Sequence, residues 1–484
     1  MSDFCFASIR EIHNAYREKR LSVRSLVLSF LSRIKEFDKC TDGLNSVLEL
    51  NPDALFIADK FDQSLNEGSE FGQDGKFPSL FGIPVLLKDN INTADRLHTS
   101  AGSLSLADNY APYDARIAGR LREAGAIILG KANMTEFANY MSREGMPSGY
   151  SSRGGQVLNP YNRSITPSGS SSGSAVAVAA GLCTVSIGTE TSGSILSPAS
   201  HNGIVGIKPT LGLVGRSGII PISGTHDTAG PMARSAEDAA VLLGVIAGFD
   251  PNDAVTNPEP QADYASCLDP AALAGFKIGI NRSQKGKEED FYEEHKKNFD
   301  HLCAVLAEAG AVLIDNVDID PSPGIGKIMR NEFKACMNYY LSSLRGSTRM
   351  KSLKDIIEFN QANAQTALKY GQSILLEAEN KTSGLLTEPE YLEALAEREK
   401  AVTAFDKLFI DNGIEILLCE NFSNIAPYTG FPAMTIPIGQ RQDKLPVGSY
   451  WIARRFGEAK LLKAAYAAER LLGLTLKPEL DSQE

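Results

Sequence analysis

The first part of the chain carries apolar side chains at helical spacing. Within residues 5–63 the clearest example is the run Val27, Phe30, Leu31 and Ile34. Apolar residues that recur every three or four positions lie on one face of a helix. We therefore expect this segment to be a helical lead-in to the rest of the fold.

The next segment, from about residue 80 to 250, changes to short apolar runs separated by helical patterns. Apolar runs at 83–87 and 126–129 predict strands, and the segment 114–124 between them predicts a helix. Alternation of this kind is typical of an α/β sheet that is covered on both faces. This segment is expected to hold the core of the fold.

The remainder of the chain divides into a charged helical part and a strand-rich end. Residues 250–415 are richer in charged residues and helix formers, as in 388–400, and predict peripheral helices around the edge of the sheet. Residues 415–484 return to short apolar runs before a final helix. Strands are predicted there at 414–419, 434–438 and 447–452, and the helix at 458–471.

No internal repeat, low-complexity tract or clear linker interrupts the 484 residues. We therefore predict one large α/β domain over residues 1–484, with a mixed β-sheet core sandwiched between layers of α-helices. A hydrophobic content of 43% is ordinary for a soluble globular protein, and no apolar run is long enough to cross a bilayer. Residues 1–10 show no secretory signal, so a cytoplasmic location without membrane association is expected.

Composition also excludes several kinds of site and partner. The net charge of −11 and the lack of a basic cluster with aromatic residues oppose nucleic-acid binding. The six histidines form no metal-binding motif, so no metal or other cofactor is expected. The cysteines are odd in number and scattered without CxxC pairs, which favours reduced thiols: Cys5, Cys40, Cys183, Cys267, Cys303, Cys336 and Cys419.

A lysine follows the apolar run at 83–87. If Lys88 is buried among residues such as Val85 and Leu87, the cost of burying an ammonium lowers its pKa, and the neutral amine can act as a base. The simpler alternative is a lysine that emerges into solvent at the end of a strand. Its neighbours in sequence do not decide between the two.

Two segments rich in glycine and serine follow Lys88 along the chain. Residues 167–175 contain Ser170, and residues 188–198 contain Ser194. Such stretches are often flexible loops, yet the first leads directly into an apolar run of small residues at 174–181, which predicts a short buried helix with Gly181 as a left-handed cap. A lysine and two serines are a group that can activate a hydroxyl nucleophile without histidine.

These two segments, with Lys88, resemble the signature of the amidase signature family. Further similar stretches are 130–137, 203–210 and 230–235, so the resemblance is close over residues 80–250. It implies the fold of that family and a reaction in which an amide C–N bond other than a peptide bond is hydrolysed to a carboxylate and ammonia.

The resemblance also implies a role for each residue of the signature. Ser194 is the nucleophile, and Ser170, which follows a cis peptide bond from Gly169, carries a proton between Ser194 and Lys88. An acyl-enzyme forms on Ser194. Ser171 supports the site, and the oxyanion is bound by the backbone N–H groups of Thr191, Ser192, Gly193 and Ser194.

Within the family the sequence is most like bacterial peptide amidases. The likeness lies in the segments 152–156, 159–161, 188–191 and 226–228. It implies a small-molecule or short-peptide amide as substrate, with the C-terminal amide of a peptide as the group removed. A monomer or a homodimer is expected.

Three features depart from the pattern of many relatives. Leu196 stands where an arginine is common, which argues against the glutamine-using transamidosome subunits. Ser168 replaces a common glycine or cysteine. The segment 418–428 leads almost directly to Gly430, where relatives carry a longer loop, so the pocket is either more open or catalytically weakened.

Two other functions stay open at this level, an amidase for small aliphatic or aryl amides and a non-catalytic, amidase-like binding protein.

Three short motifs that are typical of other enzymes occur in the wrong structural context. The G-x-S-x-G match at 169–173, with Ser171 as nucleophile, does not follow a strand. The P-loop match at 125–131 is followed by Ala132 in place of the serine or threonine that binds magnesium, and the S-x-x-K match at 32–35 lies in an amphipathic helix.

Overall fold

The computed structural model describes residues 2–67, 77–256, 263–282, 289–319 and 324–480. These residues form one large α/β domain around a mixed sheet of 11 strands, as the sequence predicted. None of the helices within the described ranges is long and apolar enough to cross a membrane.

The strands are numbered in chain order. Eleven belong to the main sheet, and β4 and β5 form a separate two-stranded ribbon. Their bounds are β1 Val47–Leu50, β2 Pro84–Lys88, β3 Ile127–Ala132, β4 Tyr150–Ser151, β5 Gly155–Gln156, β6 Val185–Glu190, β7 Val205–Lys208, β8 Thr228–Ala233, β9 Lys277–Asn281, β10 Val312–Ile314, β11 Ile416–Cys419, β12 Ala433–Gln440 and β13 Pro446–Ala453.

The α-helices, numbered in the same way, are joined by short 3₁₀ and π turns. Their bounds are α1 Ile9–Arg17, α2 Val23–Arg33, α3 Ala54–Glu67, α4 Arg116–Glu123, α5 Ser172–Ala179, α6 Leu196–His201, α7 Ala236–Ile246, α8 Glu289–Glu308, α9 Ile325–Ser343, α10 Leu353–Ala362, α11 Ala364–Ala367, α12 Ser373–Lys381, α13 Pro389–Asp411, α14 Ile425–Thr429 and α15 Glu458–Leu472.

The main sheet consists of two halves that are each continuous in sequence. Its strand order is β1-β3-β2-β6-β8-β7-β12-β13-β11-β9-β10, so the first six strands come from residues 47–233 and the other five from residues 277–453. The halves meet where β7 pairs with β12 in antiparallel register, Ile207 opposite Met434. This single strand pair makes the sheet continuous.

Strands β2 and β6 are parallel neighbours at the centre of the first half, with Leu87 opposite Ile187. Every residue of both strands is buried. Because the carboxyl ends of parallel strands meet at one edge, Lys88 at the end of β2 lies beside the end of β6. The two strands that meet at this edge, β2 and β6, come from apolar runs that are far apart in the sequence.

Helix α5 precedes β6 and packs tightly against the sheet. All eight of its residues are buried and small. A Cβ added at Gly173 would lie 2.2 Å from the Ser46 carbonyl oxygen and 2.4 Å from that of Asn133, so only glycine allows this approach. Gly181 follows the helix with φ of +66°, as predicted for its left-handed cap.

The remaining helices surround the sheet in distinct groups. Helix α7 packs against α15, and both contact strands of the sheet. Helices α9, α10 and α12 pack against one another beyond the sheet and bury a second apolar cluster that includes Phe333, Met337 and Tyr340. Tyr340 of this cluster also lines a cavity.

Two predictions about segments were incomplete. The helical lead-in also contributes β1, which pairs with β3 at one edge of the sheet. The region 250–415, predicted as peripheral helices, contributes β9 and β10 at the other edge. In β9 only three consecutive residues, Ile278, Gly279 and Ile280, are buried. So short a buried run does not distinguish a strand from a loop.

Candidate active site

Lys88 is the last residue of β2 and is fully buried. Its Nζ lies 2.8 Å from the Ser170 Oγ and donates a hydrogen bond of 3.0 Å to the Thr189 carbonyl oxygen. Thr189 belongs to β6, so the parallel pairing of β2 and β6 brings the acceptor to the lysine. The structure thus excludes the solvent-exposed alternative for Lys88.

Burial changes the protonation of Lys88. The loss of water around the amine lowers the pKa of Lys88 to about 7, and the negative charges of Glu190 and Asp227 oppose part of that shift. A neutral amine has two N–H groups and one lone pair. It can therefore donate to Thr189 while accepting a proton from Ser170 across the 2.8 Å contact.

Ser170 lies after a cis peptide bond from Gly169. Thr135 holds this turn, because its N–H donates to the Ser170 carbonyl oxygen at 3.1 Å and its Oγ1 accepts the Gly149 N–H at 2.8 Å. A Cβ added at Gly169 would lie 2.5 Å from the same Oγ1. Thr135 is part of the similar stretch 130–137, yet its contact with Ser170 could not be read from the sequence.

Ser194 lies in the turn between β6 and α6, with 8% of its surface exposed. Its carbonyl oxygen accepts the Ser171 N–H at 3.1 Å. The Ser171 hydroxyl in turn donates to the Thr189 carbonyl oxygen at 3.1 Å and accepts the Thr189 N–H at 3.2 Å. Ser171 therefore joins the two glycine- and serine-rich segments, whereas within the described residues no hydrogen bond links the Ser194 hydroxyl to Ser170.

The backbone of residues 191–194 presents four consecutive N–H groups. Within the described part of the chain, none of them donates to a protein acceptor. Gly193 has φ of +83°, a conformation that favours glycine. Consecutive N–H groups without a protein acceptor are available to bind an anion, so the predicted oxyanion site at residues 191–194 stays a prediction that these donors permit.

Glu190 shapes the turn that carries these donors. Its Oε2 accepts the N–H groups of Ile195 at 2.8 Å and Leu196 at 3.0 Å, so the chain folds around the carboxylate. The side chain is buried, and its Oε1 has no hydrogen-bond partner within the described residues. The sequence analysis did not single out Glu190, because its partners are backbone N–H groups that meet it only in the folded turn.

The short segment near residue 420 covers the same turn. Ser192 Oγ donates to Asn424 Oδ1 at 2.9 Å, and a Cβ added at Gly193 would lie 2.8 Å from Phe422 Cζ. The Phe422 ring packs edge-on against Tyr450, with ring centroids 5.6 Å apart. Phe422 and Asn424 therefore lie against this turn, and the effect of the short segment on the openness of the pocket or on catalysis stays a prediction.

A cavity of about 980 Å³ extends from the end of β6 towards the surface. Its inner end is lined by Asn90 and residues 189–191, and its walls by residues 216–224, Asp227 and helix α9. Asp227 accepts the Thr191 hydroxyl at 2.5 Å, and burial raises the pKa of Asp227 to about 6. The cavity is large enough for a ligand of several residues. Its lining includes Thr189, whose carbonyl oxygen accepts from Lys88, but not Lys88, Ser170 or Ser194.

The structure also accounts for the competing motifs. Ser171 is buried and bonded to Thr189, so it is not the exposed nucleophile of a G-x-S-x-G elbow. Lys131 is fully buried in β3 and donates to the Ile91 carbonyl oxygen and to Thr99 Oγ1, the latter at 2.9 Å, so it does not face a phosphate site. His226 is buried, and burial lowers its pKa to about 3, as suits a neutral structural histidine.

A protein-family model described as Amidase matches residues 25–462 of the chain. A probable amidase of Arabidopsis thaliana is 38% identical, with 96% of this chain and 90% of the relative aligned. A putative amidase of Schizosaccharomyces pombe is 32% identical, with 98% of this chain and 86% of the relative aligned.

Solved structures give the same picture. The native peptide amidase from Stenotrophomonas maltophilia superposes with a TM-score of 0.90 at 38% identity and covers 99% of this chain and 100% of its own. An amidase family protein from Bacillus anthracis superposes with a TM-score of 0.89 at 37% identity, over 98% of this chain and 92% of its own.

Proposed function

This chain belongs to the amidase signature family and is an enzyme that hydrolyses amides, and from that premise we propose that Ser194, Ser170 and Lys88 carry out the reaction on C-terminal peptide amides. Ser194 is the nucleophile and Lys88 the general base in this proposal. Ser170 passes the proton between them.

The first step is attack on the amide carbon. Neutral Lys88 accepts the proton of Ser170, Ser170 accepts that of Ser194, and the Ser194 oxygen forms a bond to the carbonyl carbon. The 2.8 Å contact of Lys88 Nζ with Ser170 Oγ supports the first transfer. A proton relay of this kind needs no histidine.

Negative charge then develops on the former carbonyl oxygen. The N–H groups of Thr191, Ser192, Gly193 and Ser194 bind it, and their lack of protein acceptors within the described residues supports this role. The Glu190 carboxylate keeps the turn in shape through Ile195 and Leu196.

The C–N bond then breaks. The amide nitrogen takes the proton from Ser170, which takes one from the Lys88 ammonium, and ammonia leaves an ester on Ser194. Water repeats the attack by the same relay, the carboxylic acid leaves, and Ser194 regains its proton. The chemistry balances without a metal or another cofactor.

The substrate class rests on the cavity and on the relatives. The cavity of about 980 Å³ reaches Thr191, three residues before Ser194, and its volume accommodates several residues of a peptide on the acyl side of the amide. The peptide amidase from Stenotrophomonas maltophilia shares the fold along its whole length. Leu196, where relatives that use glutamine carry arginine, favours a peptide amide over glutamine.

The observation that carries the proposal is the buried contact between Lys88 and Ser170. The test is ammonia release from glycyl-L-phenylalaninamide, propionamide and benzamide by the wild type, Ser194→Ala and Lys88→Ala. We expect release from the dipeptide amide, with kcat reduced by about 10³-fold or more in each folded variant. Circular dichroism checks that both variants are folded.

Each other outcome has a definite meaning. Release from propionamide or benzamide alone retains the mechanism and replaces the peptide amide with a small amide. Wild-type activity in Ser194→Ala shows that Ser194 is not the nucleophile, and wild-type activity in Lys88→Ala shows that Lys88 is not the base.

A further inference from the structure

The loop of residues 222–227 lies against the turn that carries Ser194. Asp227 bridges the two, because its Oδ1 accepts the Thr191 hydroxyl at 2.5 Å. Its Oδ2 accepts the N–H groups of Ile222 at 2.8 Å and Ser223 at 2.9 Å. The carboxylate therefore fixes the shape of its own loop and attaches that loop to residue 191.

The same loop is held from its other side by Glu332 of α9. This buried carboxylate accepts the Thr225 N–H at 3.0 Å and the hydroxyl groups of Ser223 and Thr225. It also accepts the Tyr391 hydroxyl of α13 at 2.8 Å. Four donors from the loop and from α13 thus converge on one side chain of α9.

These contacts form a continuous path from helix to active site. It runs from Glu332 through Ser223 and Thr225 to Asp227, and from Asp227 to Thr191. Helix α9 also lines the substrate cavity with Cys336, Tyr339 and Tyr340. One rigid element therefore contacts both the cavity and the loop that supports the N–H donors.

We propose that Glu332 is a positioning residue for the proposed oxyanion-binding turn, acting through the 222–227 loop and the Asp227–Thr191 hydrogen bond. It touches neither substrate nor reacting atoms. The proposal rests on the proposed function, in which the N–H groups of residues 191–194 bind the oxyanion.

Glu332 is expected to affect kcat through the geometry of the loop and of the N–H groups of residues 191–194. A buried carboxylate with four donors holds each of them in one geometry, and its removal leaves those donors unpaired, so the loop relaxes. The N–H groups of residues 191–194 act only on charge that develops in the transition state. Their misalignment therefore lowers kcat and leaves KM nearly unchanged.

The test is steady-state hydrolysis of glycyl-L-phenylalaninamide at pH 8.5 by Glu332→Ala, Asp227→Ala and the double variant. At this pH the wild-type Lys88 amine is neutral, so a change in its pKa contributes little. We expect Glu332→Ala to lower kcat by about 10- to 100-fold and to change KM by less than about threefold. The double variant is expected to be no slower than the slower single variant, because both changes break one path.

A matched control is Asp238→Ala. Asp238 is also a buried carboxylate, but it accepts the Ile9 N–H and joins α7 to α1. We expect this variant to lose stability and to retain kcat. A kcat of Glu332→Ala within twofold of wild type overturns the proposal, as does a double variant in which the two losses multiply.

A milder change covers the case in which Glu332→Ala does not fold. Thr225→Val removes one hydroxyl donor to Glu332 and keeps the shape and the N–H of residue 225. We expect kcat to fall by about 3- to 10-fold at constant KM, since one donor of four is lost. An unchanged kcat overturns the proposal.

Ser194→Ala, measured beside these variants, separates the two proposals. An inactive Ser194→Ala with a fully active Glu332→Ala rejects only the role of Glu332. An active Ser194→Ala rejects the catalytic assignment on which that role depends.

Discussion

At the scale of single residues, burial alone does not make a catalytic lysine. Lys88, Lys131 and Lys208 are all fully or almost fully buried, and burial lowers the pKa of each. Lys208 donates to the Pro209 carbonyl oxygen, which has no proton to give. Lys131 lies 2.9 Å from the Thr99 hydroxyl, so a hydroxyl neighbour alone is not distinctive either. What distinguishes Lys88, the proposed base, is that its hydroxyl partner Ser170 is followed by Ser171, whose N–H donates to the Ser194 carbonyl oxygen.

The pKa of Lys88 predicts the pH dependence of the reaction. The amine must be neutral to accept a proton, so kcat/KM is expected to rise with pH through an apparent pKa of about 7 and to level off above it. Asp227→Asn removes a negative charge that favours the ammonium form, and so should move this rise to lower pH. The measurement is kcat/KM for glycyl-L-phenylalaninamide from pH 5.5 to 9. A flat profile in the wild type contradicts a base of this pKa.

The residues of the site differ in how far the sequence could predict them. Lys88 and Ser170 stand in short recognisable segments, and the structure brings their side chains together as expected. Glu332 was not anticipated, because its partners at 223 and 225 are distant in the chain and meet it only through the packing of α9. A hydrogen bond between distant segments leaves no pattern in the local sequence.

At the scale of elements, helix α5 connects the packing of the sheet to the geometry of the site. It begins at Ser172, directly after Ser170 and Ser171, and Gly173 in its first turn touches the backbone of residues 46 and 133. A shift of this helix therefore moves Ser170 relative to Lys88. The small side chains of α5 allow the helix to lie this close to the sheet.

This close approach predicts opposite results for two glycines in helices. Gly173→Ala forces a Cβ to within 2.2 Å of the Ser46 carbonyl oxygen. We expect it to lower the free energy of unfolding by about 1–3 kcal/mol and kcat by about tenfold or more. Gly326→Ala, in α9, meets nothing within 4 Å and is expected to be neutral or to stabilise by up to about 1 kcal/mol with activity retained.

Urea unfolding and turnover of glycyl-L-phenylalaninamide measure both effects. A Gly173→Ala variant as stable and as active as wild type contradicts the tight packing of α5.

The sequence predicted long apolar elements better than short ones. Strands β12 and β13 and helix α15 lie close to their predicted positions, because each contains a sustained apolar run. Strands β1, β9 and β10 were missed, since strands of three to five residues at or next to a sheet edge are defined by their partners more than by their own residues.

At the scale of the whole molecule, the three buried lysines make the free energy of unfolding depend on pH. The pKa of Lys88 is lowered to about 7, and those of Lys131 and Lys208 to about 8. In the unfolded chain each lysine keeps its proton to a pH near 10. In the interval between, these three groups therefore bind more protons in the unfolded state, and their contribution to the stability of the folded state rises with pH.

In the interval from pH 8 to pH 9 the buried thiols act in the opposite direction. Cys183, with a pKa raised to about 12, keeps its proton in the folded state, whereas a thiol in the unfolded chain loses its proton near pH 8.5. The contribution of a lysine is therefore measured as the difference between the wild type and Lys131→Met in urea unfolding at both pH values. We expect the change in the free energy of unfolding from pH 8 to pH 9 to be less positive in Lys131→Met by on the order of 1 kcal/mol. An equal change in the two proteins contradicts a neutral Lys131 in the folded state.

The arrangement of the sheet in two sequence-continuous halves has a consequence for how the protein is made. On the ribosome, residues 47–233 emerge first and contain β1, β2, β3, β6, β7 and β8, together with Lys88, Ser170 and Ser194. Until β12 at 433–440 has been synthesised, β7 is an unpaired edge in the middle of the future sheet, and edges of that kind invite aggregation. The edge of β7 thus lacks its partner strand for the time needed to translate about 200 further codons at roughly 5–20 residues per second.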